Sequence, residues 1–241
     1  MHFVKTPYIP QGKALVGIGD VTHSNINIVK PFYLEKLPIG LRYHADLSFC
    51  YLGEGIAVCA PESYDYYKKA FENTSLEIIK GEKYLDMHYP KDASYNVAIV
   101  GDKMFCKKDI ADRVLLDKAE ECGYEIININ QGYAKCSVCP IDETGAISAD
   151  MSFCKAAEKS GIEVLCITND TIKLPGYNNG FFGGCAYLYD KNTLLTKGDI
   201  TTHPDYEKIS LFLEKRNITI ECTETKDFLC DFGSFIPIWE E

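Results

Sequence analysis

Short runs of alternating or β-branched residues recur along the chain, separated by turns or by polar stretches with helical spacing. Four times such a helical stretch passes through a turn residue into a strand: Asn73-Thr-Ser-Leu-Glu-Ile-Ile, Gly123-Tyr-Glu-Ile-Ile, Gly161-Ile-Glu-Val-Leu and Asn217-Ile-Thr-Ile. Glycine or asparagine at a helix end can take the left-handed conformation that stops the helix and turns the chain. Ser63, Asp109 and Thr202 are suited to start these helices, with Pro204 at an early helical position, and Asp150 or Ser152 starts the one containing Ala156 and Ala157. Ahead of the helices lie paired β-like runs: Leu47 to Tyr51 with Ile56 to Ala60, Ala134 to Ile141 with Ala146 to Ala149, and Cys185 to Tyr189 with Thr193 to Thr196. Gly53-Glu-Gly55, Glu143-Thr-Gly145 and Lys191-Asn192 supply the turns between them.

The repeating unit is therefore strand, strand, helix, strand. With His44, Asn96, Cys136, Cys185 and Ser234 as equivalent points, its period is about 40 to 50 residues. A fifth unit is split between the ends: Gly233-Ser-Phe-Ile-Pro-Ile begins it and Ala14-Leu-Val-Gly-Ile continues it. Pairing of these two segments would close a ring and protect its edge strands. The expected fold is α/β, a propeller of five pseudosymmetric repeats in a single domain over 1–241. An ordinary two-domain α/β protein is the competing arrangement.

At 241 residues and 46% apolar composition, the chain can build a substantial core. Its start lacks the basic, apolar and small-residue segments of a secretory signal, and no apolar stretch approaches the roughly 20 residues of a membrane span. The 11 cysteines are scattered singly and odd in number, which suits reduced thiols and a cytoplasmic location. A net charge of −10 and the lack of a basic stripe disfavour nucleic acid as a partner and suit a cationic small molecule. Oligomeric state is left open.

On an inward-pointing first strand, His44 and Asp46 share a face, whereas Cys136 and Cys139, three apart, face opposite ways. A lone C-x-x-C with no second pair is a poor zinc site, so no metal and no cofactor is expected. Lys135, adjacent to Cys136 along the strand, is expected to point away from the centre. Each of these residues also has a plainer reading: a cysteine on a strand as a small buried apolar group, and Gly183 and Gly184 as positions of close backbone approach. His203 reads as part of a helix start, while His2, His23 and His88 have no constellation around them.

At three segments the chain resembles the pentein, or guanidino-group-modifying, superfamily. His44-Ala-Asp46-Leu-Ser-Phe49 looks like its His-x-Asp strand, and Ala134-Lys-Cys136-Ser-Val-Cys-Pro140 is similar to the strand of its nucleophilic cysteine. Phe181-Phe-Gly183-Gly184-Cys185 looks like its Phe-x-Gly-Gly-Asp substrate motif, with cysteine where the aspartate is expected. The motif order differs from the family's but the cyclic order agrees, as in a circular permutation. The resemblance implies Cys136 as nucleophile and His44 as acid and base, with Asp46, Asn96, Gly183, Gly184 and Cys185 around the substrate. The acid that orients His44 would come from Asp231, Ser234 or Asp20. The implied activity is hydrolysis of a non-peptide C–N bond in a guanidine or amidine through a covalent thiol intermediate; the alternative is a non-catalytic protein of this fold that binds a metabolite or protein partner.

Overall fold

The computed structural model describes residues 1–168, 171–223 and 228–241. The chain begins with β1 (His2–Phe3), β2 (Ala14–Gly19) and β3 (Asn27–Val29). Unit one follows as α1 (Ala45–Ser48), β4 (Phe49–Gly53), β5 (Ile56–Cys59), α2 (Tyr64–Ala70) and β6 (Glu77–Lys80). Unit two is β7 (Ala98–Val100), β8 (Lys103–Cys106), α3 (Arg113–Glu121) and β9 (Glu125–Asn128). Unit three is α4 (Ala134–Ser137), β10 (Val138–Asp142), β11 (Gly145–Ser148), α5 (Met151–Lys159) and β12 (Glu163–Cys166). Unit four is α6 (Phe182–Cys185), β13 (Ala186–Asp190), β14 (Thr193–Thr196), α7 (Tyr206–Glu214) and β15 (Thr219–Cys222), and β16 (Phe235–Glu240) ends the chain.

These strands form five small sheets, and the four three-stranded ones share one design: the first two strands pair antiparallel, and the third, reached through a helix, joins the second in parallel. The register slips at the same place in units one, three and four, between Tyr51 and Gly53, Pro140 and Asp142, and Leu188 and Asp190. A bulge repeated at one position marks a shared local geometry. The fifth sheet runs β1-β16-β2-β3, so the last strand pairs antiparallel with β2 and joins the two ends of the chain. The fifth unit has no helix between β2 and β3.

Helix ends follow the expected chemistry with shifts of a few residues. Gly123, Gly161 and Asn217 have positive φ (89°, 81° and 55°), as the helix stops require. Asp150 caps α5 by accepting from the Phe153 N–H, but α3 is capped by Asp112 rather than Asp109. Thr202 lies in a 3-10 turn ahead of α7, whose N-cap is Asp205. The apolar helix faces fill the spaces beside the sheets: Leu115 and Ala119 of α3 pack with Val58, Ile99 and Met104, and Ile209 and Leu213 of α7 with Leu188 and Leu194. No helix among the described residues is long and apolar enough to cross a membrane.

The seam between the chain ends is tightly packed. A Cβ added at Gly17 of β2 would lie 2.2 Å from Phe235 Cζ and 2.6 Å from the Ile236 carbonyl oxygen. Because part of that obstruction is backbone, Gly17→Ala is expected to destabilise by about 1–3 kcal/mol and lower the melting temperature. An unchanged thermal midpoint would show that the β2–β16 pairing does not limit stability.

Candidate active site

The site segments lie one step earlier in each unit than strand periodicity suggested. His44-Ala-Asp46, Ala134-Lys-Cys136 and Phe182-Gly-Gly-Cys185 form or cap single helical turns, α1, α4 and α6, each leading directly into an extended residue. Backbone bonds close these turns, from Leu47 N–H to His44 O (3.4 Å), Ser137 N–H to Tyr133 O (3.0 Å) and Gly184 N–H to Phe181 O (3.1 Å). Counting back from the strand starts, Asp46, Lys135 and Gly183 are equivalent, and so are Ser48, Ser137, Cys185 and Ser234.

This register corrects the expectation for Lys135. It holds the position that Asp46 holds in unit one, so it projects inward and is 1% exposed. Its Nζ donates to Ser234 Oγ (2.8 Å), Gly183 O (2.9 Å) and, more weakly, Val138 O (3.4 Å), and lies 4.8 Å from the centroid of the Tyr8 ring. A helical turn placed the side chain there, where an extended strand would have turned it outward.

Beside this cation His44, Asp46 and Cys136 converge, with one ligand-type atom from each within 4.8 Å of the others and all three residues buried. Cys136 Sγ donates to Asp46 Oδ2 at 3.1 Å and accepts from Asn96 Nδ2 at 3.1 Å. Asn96 is engaged on both sides of its amide: Nδ2 also donates to Asp46 O (3.2 Å), and Oδ1 accepts from the Lys135 and Cys136 N–H groups (2.7 and 3.2 Å). It thus ties unit two to the turn that carries the thiol.

His44 stands between two carboxylates, with Nδ1 3.9 Å from Asp46 Oδ1 and Nε2 3.8 Å from Asp231 Oδ1. Both distances exceed hydrogen-bond length, and neither ring nitrogen nor Asp46 Oδ1 has a hydrogen-bond partner. Buried polar atoms are rarely left so, and here they leave hydrogen-bonding capacity unused within the cluster. Of the three residues considered for orienting His44, Asp231 is the one beside it. Its carboxylate is held by the Phe181 N–H (2.8 Å) and the Gly233 N–H (3.0 Å).

The glycines are set by proximity. A Cβ on Gly184 would fall 2.0 Å from Asp231 Oδ1, and one on Gly183 would fall 2.2 Å from the Val138 carbonyl oxygen. Cys185 is fully buried among apolar residues that include Cys139 and Leu188, and its Sγ donates to Phe182 O at 3.2 Å. Cys139 packs in that same apolar group, apart from Cys136.

Burial pushes the Cys136 thiol well above its ordinary range, and the nearby Asp46 and Asp231 carboxylates push it further. Burial also raises Asp46 to about 6, against the opposing pull of His44 and Lys135. The resting site is thus a protonated thiol facing carboxylates.

A family model describing a family of unknown function, DUF6873, matches residues 18–236. No curated protein matches the sequence. Among solved structures, C. jejuni agmatine deiminase with substrate bound shares 11% identity at a TM-score of 0.57, over 99% of this chain and 96% of that one. An amidinotransferase from the saxitoxin biosynthetic pathway of Microseira wollei shares 13% identity at a TM-score of 0.55, over 90% of this chain and 78% of that one. DDAH from Pseudomonas aeruginosa, complexed with citrulline, shares 11% identity at a TM-score of 0.53, over 84% and 75%. The likeness is one of fold, the pentein fold of these guanidino-group-modifying enzymes. The chain belongs to the family of unknown function DUF6873.

The raised Asp46 gives a stability signature. Below about pH 4 folded and unfolded chains both hold its proton; between about 4 and 6 only the folded chain does, so stability falls as pH rises and the loss is complete above that window. A shift of about two units corresponds to about 3 kcal/mol. Asp46→Asn, which can still accept from Cys136, is expected to melt several degrees above the parent at pH 8 and level with it at pH 4. A difference independent of pH would contradict the buried-carboxylate assignment.

Proposed function

We propose that this protein is a cysteine-dependent hydrolase of a non-peptide C–N bond in a small cationic guanidine or amidine, acting through a covalent thiol intermediate. The observation that carries this reading is the cluster of Cys136, His44 and Asp46, with Asp231 on the far side of the imidazole and unpartnered polar atoms between them. In this reading the chain is one domain over 1–241, its five units closed as a propeller by the β2–β16 pairing, and it works with reduced thiols in the cytoplasm.

The electrostatics support a cationic substrate that helps to activate the nucleophile. Burial first and then two carboxylates hold the thiol protonated, and an amidinium seated against Asp46 and Asp231 would cancel their field and favour the thiolate. The Cys136 sulfur then bonds to the central carbon, its proton passing to the carboxylate and imidazole groups beside it. The C–N bond breaks as His44 gives a proton to the departing nitrogen. Water next attacks the thio-linked carbon while His44 takes its proton, the S–C bond breaks, and thiol and carbonyl product are released. Asn96 and Lys135 hold the Cys136 turn in place, and Gly183 and Gly184 let Asp231 approach. Cys185 borders the substrate region through its turn, which lies against Asp231, without the charge of the family's aspartate.

A limiting amount of 2-chloroacetamidine is expected to alkylate Cys136 ahead of the other ten thiols, with the rate lowered in His44→Ala and Asp46→Asn, as read by peptide mass spectrometry. A panel of guanidines, amidines and ureas assayed for ammonia or amine release should contain at least one substrate, lost in Cys136→Ser. Uniform labelling of the thiols together with a silent panel would overturn the hydrolase reading and favour a binding protein.

A further inference from the structure

Outside the Cys136 cluster, several of the 11 cysteines sit in pairs. Cys50 and Cys106 share one apolar group and Cys139 and Cys185 another, with both members of each pair buried. Oxidants in solution do not reach sulfurs enclosed in this way. Cys154 and Cys166 differ, because Cys154 is buried and Cys166 is exposed.

Unit three brings these two together. In β12, Val164 packs with Phe153, Ala156 and Ala157 of α5. Alternation along the strand puts Cys166, two residues on, on the same face as Val164, towards that helix. Cys154 belongs to α5 and turns its sulfur to the sheet, where Sγ lies 3.9 Å from Ser148 O. Ser148 is the register partner of Cys166 in the parallel β11–β12 pairing, and its carbonyl also accepts from the Ile167 N–H at 3.0 Å. The Cys154 sulfur therefore lies beside the end of β12. There the two thiols interact: burial pushes Cys154 above its ordinary range, and the neighbouring Cys166 pushes it further.

The difference in exposure divides the chemistry between them. Cys166 meets a dissolved peroxide first, while Cys154 is placed to attack whatever forms on the Cys166 sulfur.

We propose that Cys154 and Cys166 are a modification site, a thiol pair that peroxides convert to a reversible intrachain disulfide. With hydrogen peroxide, the Cys166 sulfur bonds to one oxygen as the O–O bond breaks, giving a sulfenic acid and one water. The Cys154 sulfur then bonds to the Cys166 sulfur as the S–O bond breaks, and the Cys154 proton leaves with the hydroxyl as a second water. Two thiols lose two electrons and one peroxide gains them. A small thiol reverses the change by attack at the exposed Cys166 sulfur. The new bond fastens α5 to β12. None of this depends on what Cys136 does.

The test treats the parent chain with an equimolar amount of hydrogen peroxide and reads the products by non-reducing peptide mass spectrometry and by thermal melting. A linked pair of peptides containing Cys154 and Cys166 is expected, with a melting temperature about 5–10 °C above that of the reduced chain and restored by dithiothreitol. Cys166→Ser, at an exposed position, should lose both the link and the thermal gain. Cys154→Ser should lose them too and leave a Cys166 sulfenic acid that dimedone traps. A different pair linking first in the parent, or dimedone trapping Cys166 as fully in the parent as in Cys154→Ser, would overturn the site. Disulfides joining Cys166 of two chains, in place of the intrachain link, would overturn it as well. A link without a thermal gain would overturn the fastening of α5.

Discussion

A lysine ammonium with no access to water governs the centre of this protein. Lys135 bonds Ser234, Gly183 and Val138 and covers the Tyr8 ring, so one side chain of unit three ties unit four, the last strand and the N-terminal segment together. Such a charge is costly to bury unless its donors are used and opposite charge lies near. Asp46 supplies part of that balance, and the attraction is mutual, since Lys135 opposes the burial that raises the Asp46 carboxyl. The acidity of the site and the assembly of the units are therefore one electrostatic problem.

The second constraint is space. Backbones meet so closely at the centre that a methyl group would strike Asp231 at Gly184, the Val138 carbonyl at Gly183 and the His44 backbone at Gly233. Ala45 and Ala134 open their turns at the same crowded level, both fully buried. This crowding lets Asp231 reach His44 across Gly184, from a segment outside the motifs quoted for the family. A carboxylate is thus present near the Gly-Gly turn although the turn itself ends in cysteine.

Much of the fold was legible in the chain because repetition multiplies weak signals. One strand-strand-helix-strand pattern says little, but four in phase, with glycine or asparagine at the helix ends, define sheets whose strand bounds differ by only a few residues from the expected runs. His44 with Asp46, and Cys136, were legible as site candidates from residue type and spacing. Lys135 was misjudged because strand periodicity was applied to a segment that forms a helical turn; two-residue alternation sends neighbours to opposite sides, and a single turn does not. Asp231 was among three candidate acids, but no motif set it apart from Ser234 or Asp20. It shares a segment with the last repeat, and only the packing shows which of the three lies beside His44.

The amino-acid sequence by itself determined four of the strand-strand-helix-strand units and the pairing of β2 with β16, because hydrophobic period, turn residues and helix stops are local properties. It also singled out the thiol and the imidazole, although they are not the equivalent points they were aligned as, since His44 lies five residues before β4 and Cys136 two before β10. Only the tertiary structure decided which groups face one another. The Cys136 bond to Asp46, the hold of Asn96 on the Cys136 turn, the inward lysine and the pairing of Asp231 with His44 all join residues from separate units. Their burial then sets the protonation of the thiol, for the cost of a charge depends on everything packed around it and not on its neighbours along the chain.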